Sequence, residues 1–278
     1  MSFKIKILIF HTGTVIGDKN LPFHHSGQGP LAFLGLNHFS KKDKLELPVS
    51  SYLIEHPNGL ILIDTGWNTV NRNRISQLRN LSFQYPVNQA KLLAGQAINE
   101  QLNTMGIHTH DLDYVLLSHL HCDHADGLSL VKDAKNILVS EEEWYSANRD
   151  YIRYLHHEWK NIPVHTFKLQ NTGLGAYGRS FDLLGDGSIQ MIWEPGHSTG
   201  LCATKVQLPG QEKYVMPAAD GGYAVKSWQD NLTPGLVVNR LAAQKSLNFL
   251  KETAHDPNCV ECLANHDPNV QPHIITLN

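Results

Sequence analysis

The chain has 278 residues, 41% of them hydrophobic and 18% charged, with a formal net charge of −3. That balance excludes a disordered chain and a global basic field that would recruit nucleic acid. No apolar run approaches the roughly 20 residues needed to span a bilayer, and four cysteines in a chain this long make no disulfide framework.

The N-terminus alternates Lys4 and Lys6 with Phe3, Ile5 and Ile7 and lacks a small-residue cleavage site. It reads as an edge strand, Ile5 to Phe10, and not as a signal peptide. The expected setting is cytoplasmic, with no membrane partner. The apolar run Leu31 to Leu36 suits a homodimer contact or the core equally well. Strands are predicted at Val49 to Glu55 and Leu60 to Asp64, joined by the His56-Pro-Asn-Gly59 turn of a hairpin. Residues 67 to 95 are polar and irregular, suited to loops or a lid. A helix over Ala97 to Met105 feeds a strand at Tyr114 to Ser118. After a strand at Asn136 to Val139, Ser140 is the N-cap of a helix whose first turn carries Glu141, Glu142 and Glu143. Residues 145 to 180 form a second irregular stretch. Strands at Ile189 to Trp193, Leu201 to Leu208 and Tyr214 to Ala218 follow. A helix at Val237 to Thr253 and a strand at Cys259 to Ala264 complete the order. It predicts one α/β domain over residues 1–278, an αββα sandwich of two stacked mixed β-sheets with helices on the outer faces.

The chemistry concentrates in SHLHCDHADG, residues 118 to 127, in a chain that carries 17 histidines. The strand before it looks buried, so the chain leaves a hydrophobic interior directly into the cluster. His119 and His121, two apart at the strand end, project the same way and can reach one ion. Asp123 and His124 lie where a turn into a helix would aim them at a second. Imidazole and carboxylate suit zinc, iron(II), manganese and cobalt. Three further candidates each follow a strand-like run: His197 in WEPGHSTG, Asp220 in PAADGGY and His266 in LANHD. Asp220 is able to bridge two ions through its two oxygens.

These stretches resemble the metallo-β-lactamase superfamily, whose H-x-H-x-D-H signature is followed by a later His, Asp and His. LILIDTG, with Asp64, matches the family's early strand-turn motif. Within the superfamily the chain is most similar to the N-acyl homoserine lactonases, through SHLHCDHADG, PGHSTG, the AADGGY and NHD segments, PVSSYLIEH, and Tyr223 three residues past Asp220. The resemblance implies that His119, His121 and His197 bind one divalent metal ion and Asp123, His124 and His266 another, with Asp220 bridging. Zinc is the first choice of metal, with iron, manganese or cobalt as alternatives. It further implies attack of a metal-bridging hydroxide on a small-molecule lactone, with Tyr223 at the substrate carbonyl and Asp123 as proton shuttle. Another hydrolase on the same scaffold, a thioesterase, a phosphodiesterase or a different lactonase, is the alternative. Cys122 departs from the family, which carries an apolar or aromatic residue there, and residues 145 to 180 do not align. Among acidic residues Asp64, then Asp267, is expected to orient the ligand imidazoles.

Rival motifs weigh less. Gly196-His-Ser-Thr-Gly200 satisfies G-x-S-x-G, with Asp220 and His266 following in α/β-hydrolase order, but Leu201 to Val206 has strand character where a helix is needed. Gly173-Leu-Gly-Ala-Tyr-Gly178 meets G-x-G-x-x-G without a helix to follow, and reads as a flexible loop. Cys259 and Cys262 form a C-x-x-C near His266, yet on a strand they point to opposite faces. His24, His25, His156 and His157 read as surface residues or as the rim of a site, and Cys122 as a packed thiol.

Overall fold

A computed structural model describes residues 4–29, 31–34 and 43–278. Phe3, Gly35 and Leu36, which belong to stretches singled out above, lie outside the described residues. Strand β1 (Ile5–Asp18) sends Ile5, Ile7 and Ile9 to one face and Leu8 and Phe10 to the other, and both sets are buried. It pairs antiparallel with β2 (Lys44–His56), which turns into β3 (Gly59–Ile63) with His56 opposite Gly59, the predicted hairpin. Helix α1 (Arg74–Leu81) and β4 (Gln89–Lys91) follow, then α2 (Ile98–Thr104) and β5 (Leu112–Leu116). After α3 (Cys122–Ala125) come β6 (Ile137–Ser140), α4 (Glu141–Ala147) and β7 (Val164–Phe167).

The second half contains β8 (Gln170–Asn171), β9 (Arg179–Asp182), β10 (Ile189–Trp193), β11 (Cys202–Gln207) and β12 (Tyr214–Pro217). It ends with α5 (Val225–Gln229), α6 (Arg240–His255), β13 (Cys259–Leu263) and β14 (Ile274–Leu277). Two mixed sheets result. One runs β14-β1-β2-β3-β5-β6-β7, with β4 also on β1; the other runs β13-β12-β11-β10-β9-β8. The inner faces share one core, in which Ile7, Ile54, Ile61 and Leu116 meet Met191, Val206, Val215 and Leu263. On the outer face of the first sheet Leu53, Leu62 and Val115 pack on Ile98 and Leu102 of α2. On the outer face of the second, Ile192, Ala203 and Met216 pack on Trp228 of α5 and on Leu247 and Leu250 of α6. The helix–sheet–sheet–helix layering follows from strands that bury both faces.

Three expectations need correction. Strand β1 is not an edge, because β14 pairs with it in the register Ile5 to Leu277. Of the two lysines that suggested an edge, Lys6 makes a partly buried cross-strand ion pair with Glu55 at 2.7 Å. Residues 67 to 95 and 145 to 180 are not all irregular: β7 and β8 form in the second stretch, and α1 forms in the first on an Asn73 cap that accepts from Ile75 and Ser76, although RISQLRNL has too few apolar positions for a clear stripe. Helix α6 starts at Arg240 instead of Val237, because the Asn239 side chain accepts from the Ala242 N–H and caps it there.

Just past β10, Glu194 is buried with one oxygen bonded to the Ala176 N–H and the other without a partner. Burial pushes its carboxyl up to about 8 from 4.5. A carboxyl raised on folding contributes stability that is complete below its unfolded value and is lost as pH rises through its folded value. Glu194→Gln is therefore expected to unfold like the parent near pH 4 and to exceed it by roughly 1–3 kcal/mol near pH 9. Urea denaturation at the two pH values checks this, and a parent equally stable at both contradicts it.

Candidate metal centre

All seven predicted ligands are buried and converge at the ends of strands from both sheets. β5 carries the chain to Ser118, and His119 and His121 follow before α3 turns Asp123 and His124 inward. His197 lies in the loop between β10 and β11. Its neighbour Gly196, at φ +135°, lets α6 approach so closely that a Cβ there would sit 2.1 Å from the Ala243 nitrogen. Asp220 follows β12, beside Ala219 at φ +46°, and His266 follows β13. Asp64, at the end of β3, is also left-handed, at φ +57°. Such non-glycine conformations cost energy and cluster at functional sites.

The ligand atoms form three overlapping groups, each with all atoms within 4.8 Å of one another: His119, His121 and His197; His119, His124 and Asp220; Asp123, His124 and His266. In the first, His121 Nδ1 lies 3.1 Å from His119 Nε2 and 2.8 Å from His197 Nε2. Asp220 sits between the halves. Its Oδ1 is 3.2 Å from His124 Nε2 and 3.1 Å from His266 Nε2, and its Oδ2 is 3.2 Å from His197 Nε2. Asp123 Oδ2 is 3.5 Å from His266 Nε2.

Four imidazoles are held from behind. His124 Nδ1 donates to Asp64 Oδ2 at 2.8 Å, and His197 Nδ1 and His266 Nδ1 donate to the carbonyls of Leu236 and Pro48 at 2.9 and 2.7 Å. His119 Nδ1 meets the Ser118 hydroxyl at 3.1 Å, and that hydroxyl donates to Asp64 at 2.7 Å. Asp64 thus takes the orienting role expected of it. Asp267 does not; it accepts from the Val225 and Asn269 N–H groups.

These partners fix the tautomers so that the remaining nitrogens carry lone pairs toward the centre. His124 Nε2, His266 Nε2 and Asp220 Oδ1 are buried and make no hydrogen bond, although they lie 3.1–3.2 Å apart. Buried ligand atoms gathered round one carboxylate oxygen with no well-aligned hydrogen bond among them are the arrangement a divalent cation satisfies. The donor set fits such a cation. Burial, then the neighbouring imidazoles, holds His119 well below its usual range, and burial takes His197 down to about 4. Burial raises Asp220, but His266, His124 and His197 outweigh it and hold the carboxylate ionised. Burial lowers His124 and His266 too, but Asp220 outweighs it and draws His124 well up and His266 up. A divalent cation there would displace their protons, while His119 and His197 are already neutral ligands.

Tyr223 is buried with its ring stacked on His266, centroids 4.7 Å apart, and 5.8 Å from His197. Burial, then Asp220 and Asp123, pushes its phenol well up, so it remains a proton donor. A cavity of about 420 Å³ opens at His121, walled by Leu31, Leu34, Phe83, Val87, Ile152 and Leu236, with Arg153 and Asp150 among its polar members. Its walls come largely from residues 83 to 88 and 150 to 153. Asp126, missed in the sequence, anchors one of them by accepting from the Asn68 N–H and from the Asn71 and Asn80 side chains at 2.6–2.7 Å. Glu143 was missed as well. It turns inward from the first turn of α4, and its signal, three consecutive glutamates at a cap, pointed to the helix dipole.

The rival motifs dissolve in the geometry. The Ser198 hydroxyl donates to Glu143 Oε2 at 2.7 Å, and β11 follows where a nucleophile elbow needs a helix. Gly173 to Gly178 close a turn that leads into β9, not a helix. Cys122 is a buried thiol with Asn88 Nδ2 at 3.7 Å. His24, His25, His156, His157, Cys259 and Cys262 belong to none of the ligand groups among the described residues. No described helix is long and apolar enough to cross a membrane.

The family model described as the metallo-beta-lactamase superfamily matches residues 45–205. The N-acyl homoserine lactonase AttM of Agrobacterium fabrum is 28% identical over 234 residues, covering 81% of this chain and 83% of its own. The N-acyl homoserine lactonase AiiA of Bacillus thuringiensis subsp. kurstaki is 27% identical over 239 residues, covering 84% and 88%. A solved N-acyl homoserine lactone hydrolase, with N-hexanoyl-L-homoserine at its catalytic metal center, superimposes with a TM-score of 0.73 at 22% identity over 96% of this chain and 95% of that one. The dizinc quorum-quenching lactonase AidC superimposes with a TM-score of 0.63 at 17% identity over 97% and 90%.

Proposed function

The chain belongs to the metallo-beta-lactamase superfamily of metal-dependent hydrolases, and from that premise we propose that it opens lactone rings, with N-acyl homoserine lactones as its substrates. The observation that carries the reading is the convergence of seven buried ligands into two trios that share Asp220. His119, His121 and His197 would hold one divalent ion and Asp123, His124 and His266 a second. Zinc is the first candidate, since the ligands are imidazole and carboxylate. Ions held there lower the pKa of water toward about 7 and polarise a carbonyl oxygen. The 278 residues then act as one hydrolase unit, because the ligands come from both sheets.

The chain's own groups do the rest. The cavity at His121 takes an acyl chain against Leu34, Phe83, Val87 and Ile152, and excludes water from the ring carbonyl. Tyr223 donates its phenolic proton in a hydrogen bond to that carbonyl oxygen as negative charge builds on it. Asp123, raised by burial, takes up the attacking water's proton and returns it to the departing ring oxygen. Asp123→Asn is expected to lower kcat by on the order of 100-fold. Normal turnover at normal metal content removes the shuttle.

The test of the whole reading is proton release in weak buffer after loading with zinc, cobalt or manganese, with His121→Ala as control. Homoserine lactones of several acyl lengths, a simple γ-lactone, a thioester and a phosphodiester make the panel. Metal-dependent opening of homoserine lactones supports the reading. Turnover of the thioester or phosphodiester alone keeps the hydrolase and discards the lactone.

A further inference from the structure

We propose that Glu143 is a positioning residue that sets the separation of the two loops carrying His119, His121 and His197, and through it the affinity of that trio for its metal ion. The inference rests on the metal reading above. It also goes beyond it, because it predicts that one ion and not the other depends on a carboxylate that touches neither.

Glu143 is fully buried. Each of its oxygens accepts two hydrogen bonds. Oε1 accepts from the Leu120 N–H at 3.1 Å and the Tyr154 hydroxyl at 2.9 Å; Oε2 accepts from the Ser198 hydroxyl at 2.7 Å and the Gly200 N–H at 2.8 Å. Leu120 lies between His119 and His121, and Ser198 directly follows His197. One planar group therefore ties together loops whose ligands, His121 and His197, are 76 residues apart in sequence and 2.8 Å apart in space. The approach is close: a Cβ on Gly200 would lie 2.1 Å from the Glu143 nitrogen. Tyr154 extends the arrangement, since its ring lies 5.3 Å from that of His121, the ligand whose second nitrogen has no hydrogen-bond partner. Glu143 bonds to none of the groups behind the other trio, where Asp64 holds His124 and the Pro48 carbonyl holds His266.

All four partners of Glu143 are donors. A carboxylate suits them and an amide of the same shape does not, because its NH2 would face a backbone N–H, that of Leu120 or of Gly200, which can only donate. Charge-assisted bonds of this kind are short and directional, and partners behind a metal ligand typically change affinity 10–100-fold when removed.

The experiment is stepwise removal of bound cobalt(II) or zinc by a chelator from the parent, Glu143→Gln and Ser198→Ala. Metal is counted per chain, and cobalt absorption bands distinguish the two sites. Circular dichroism of the metal-free chains checks the fold. Glu143→Gln is expected to release one ion about 10–100-fold more readily and to hold the other as the parent does. Ser198→Ala, which keeps the carboxylate and loses one donor, should shift the same ion by less, and it carries the test should Glu143→Gln fail to fold. Equal weakening of both ions, or of neither, overturns the proposal. A parent that binds no ion overturns the metal reading itself, and this proposal with it.

Discussion

On the proposed function, Asp220→Asn is expected to abolish lactone opening, lowering kcat/KM by on the order of 1,000-fold or more, because the carboxylate that would be shared by two ions is lost and with it their activation of water at neutral pH. Asp220 is the residue that both trios meet, with Oδ1 near His124 and His266 and Oδ2 near His197. Asparagine keeps the shape but offers one oxygen, and turns an NH2 toward imidazole lone pairs. Metal content should fall with activity. Thermal stability should fall too, since an ion present at about 1,000 times its Kd stabilises a folded chain by roughly 4 kcal/mol. Metal analysis, unfolding and kinetics on the same preparation check all three. Turnover within about tenfold of the parent, at full metal content, would mean that the two halves act independently.

Tyr223→Phe should lower kcat by on the order of 100- to 1,000-fold while metal content and KM stay near those of the parent. The ring is retained and with it the stacking on His266 and the backbone bond from the His266 N–H to the Tyr223 carbonyl. Only the buried hydroxyl goes. A loss of less than about tenfold would make Tyr223 a packing residue and leave the carbonyl oxygen to the metals alone.

Much of the fold and the site was legible because its signals are local. The Asn58-Gly59 turn announced the hairpin, and Ser140 ahead of three glutamates announced the cap of α4. The edge assignment of β1 failed for the opposite reason. Its partner β14 is four residues long, and Ile5 and Leu277 stand at opposite ends of the chain. A short strand has no periodic signature, and nothing near Ile5 records that it is covered. Helix α1 escaped notice because its buried positions include Gln77, which donates to the Asn71 and Ala90 carbonyls and so makes no apolar stripe.

By itself the sequence determined which residues could be ligands. Histidine and aspartate at close spacing after a buried strand leave metal chemistry as the economical reading, and the order of His197, Asp220 and His266 completes it. Only the tertiary structure decided which nitrogen each imidazole presents. His121 turns Nδ1 to the centre while the others are held by their own Nδ1, a choice made by partners as distant as Pro48 for His266. Only the fold, likewise, turned Glu143 from a helix-dipole residue into the tie between two loops, and made a cavity between residues 83 to 88 and 150 to 153. Side-chain type and spacing are properties of adjacent residues and survive in a string of letters. Donor direction, burial and cavity shape arise from contacts between distant segments, which exist only once the sheets have stacked.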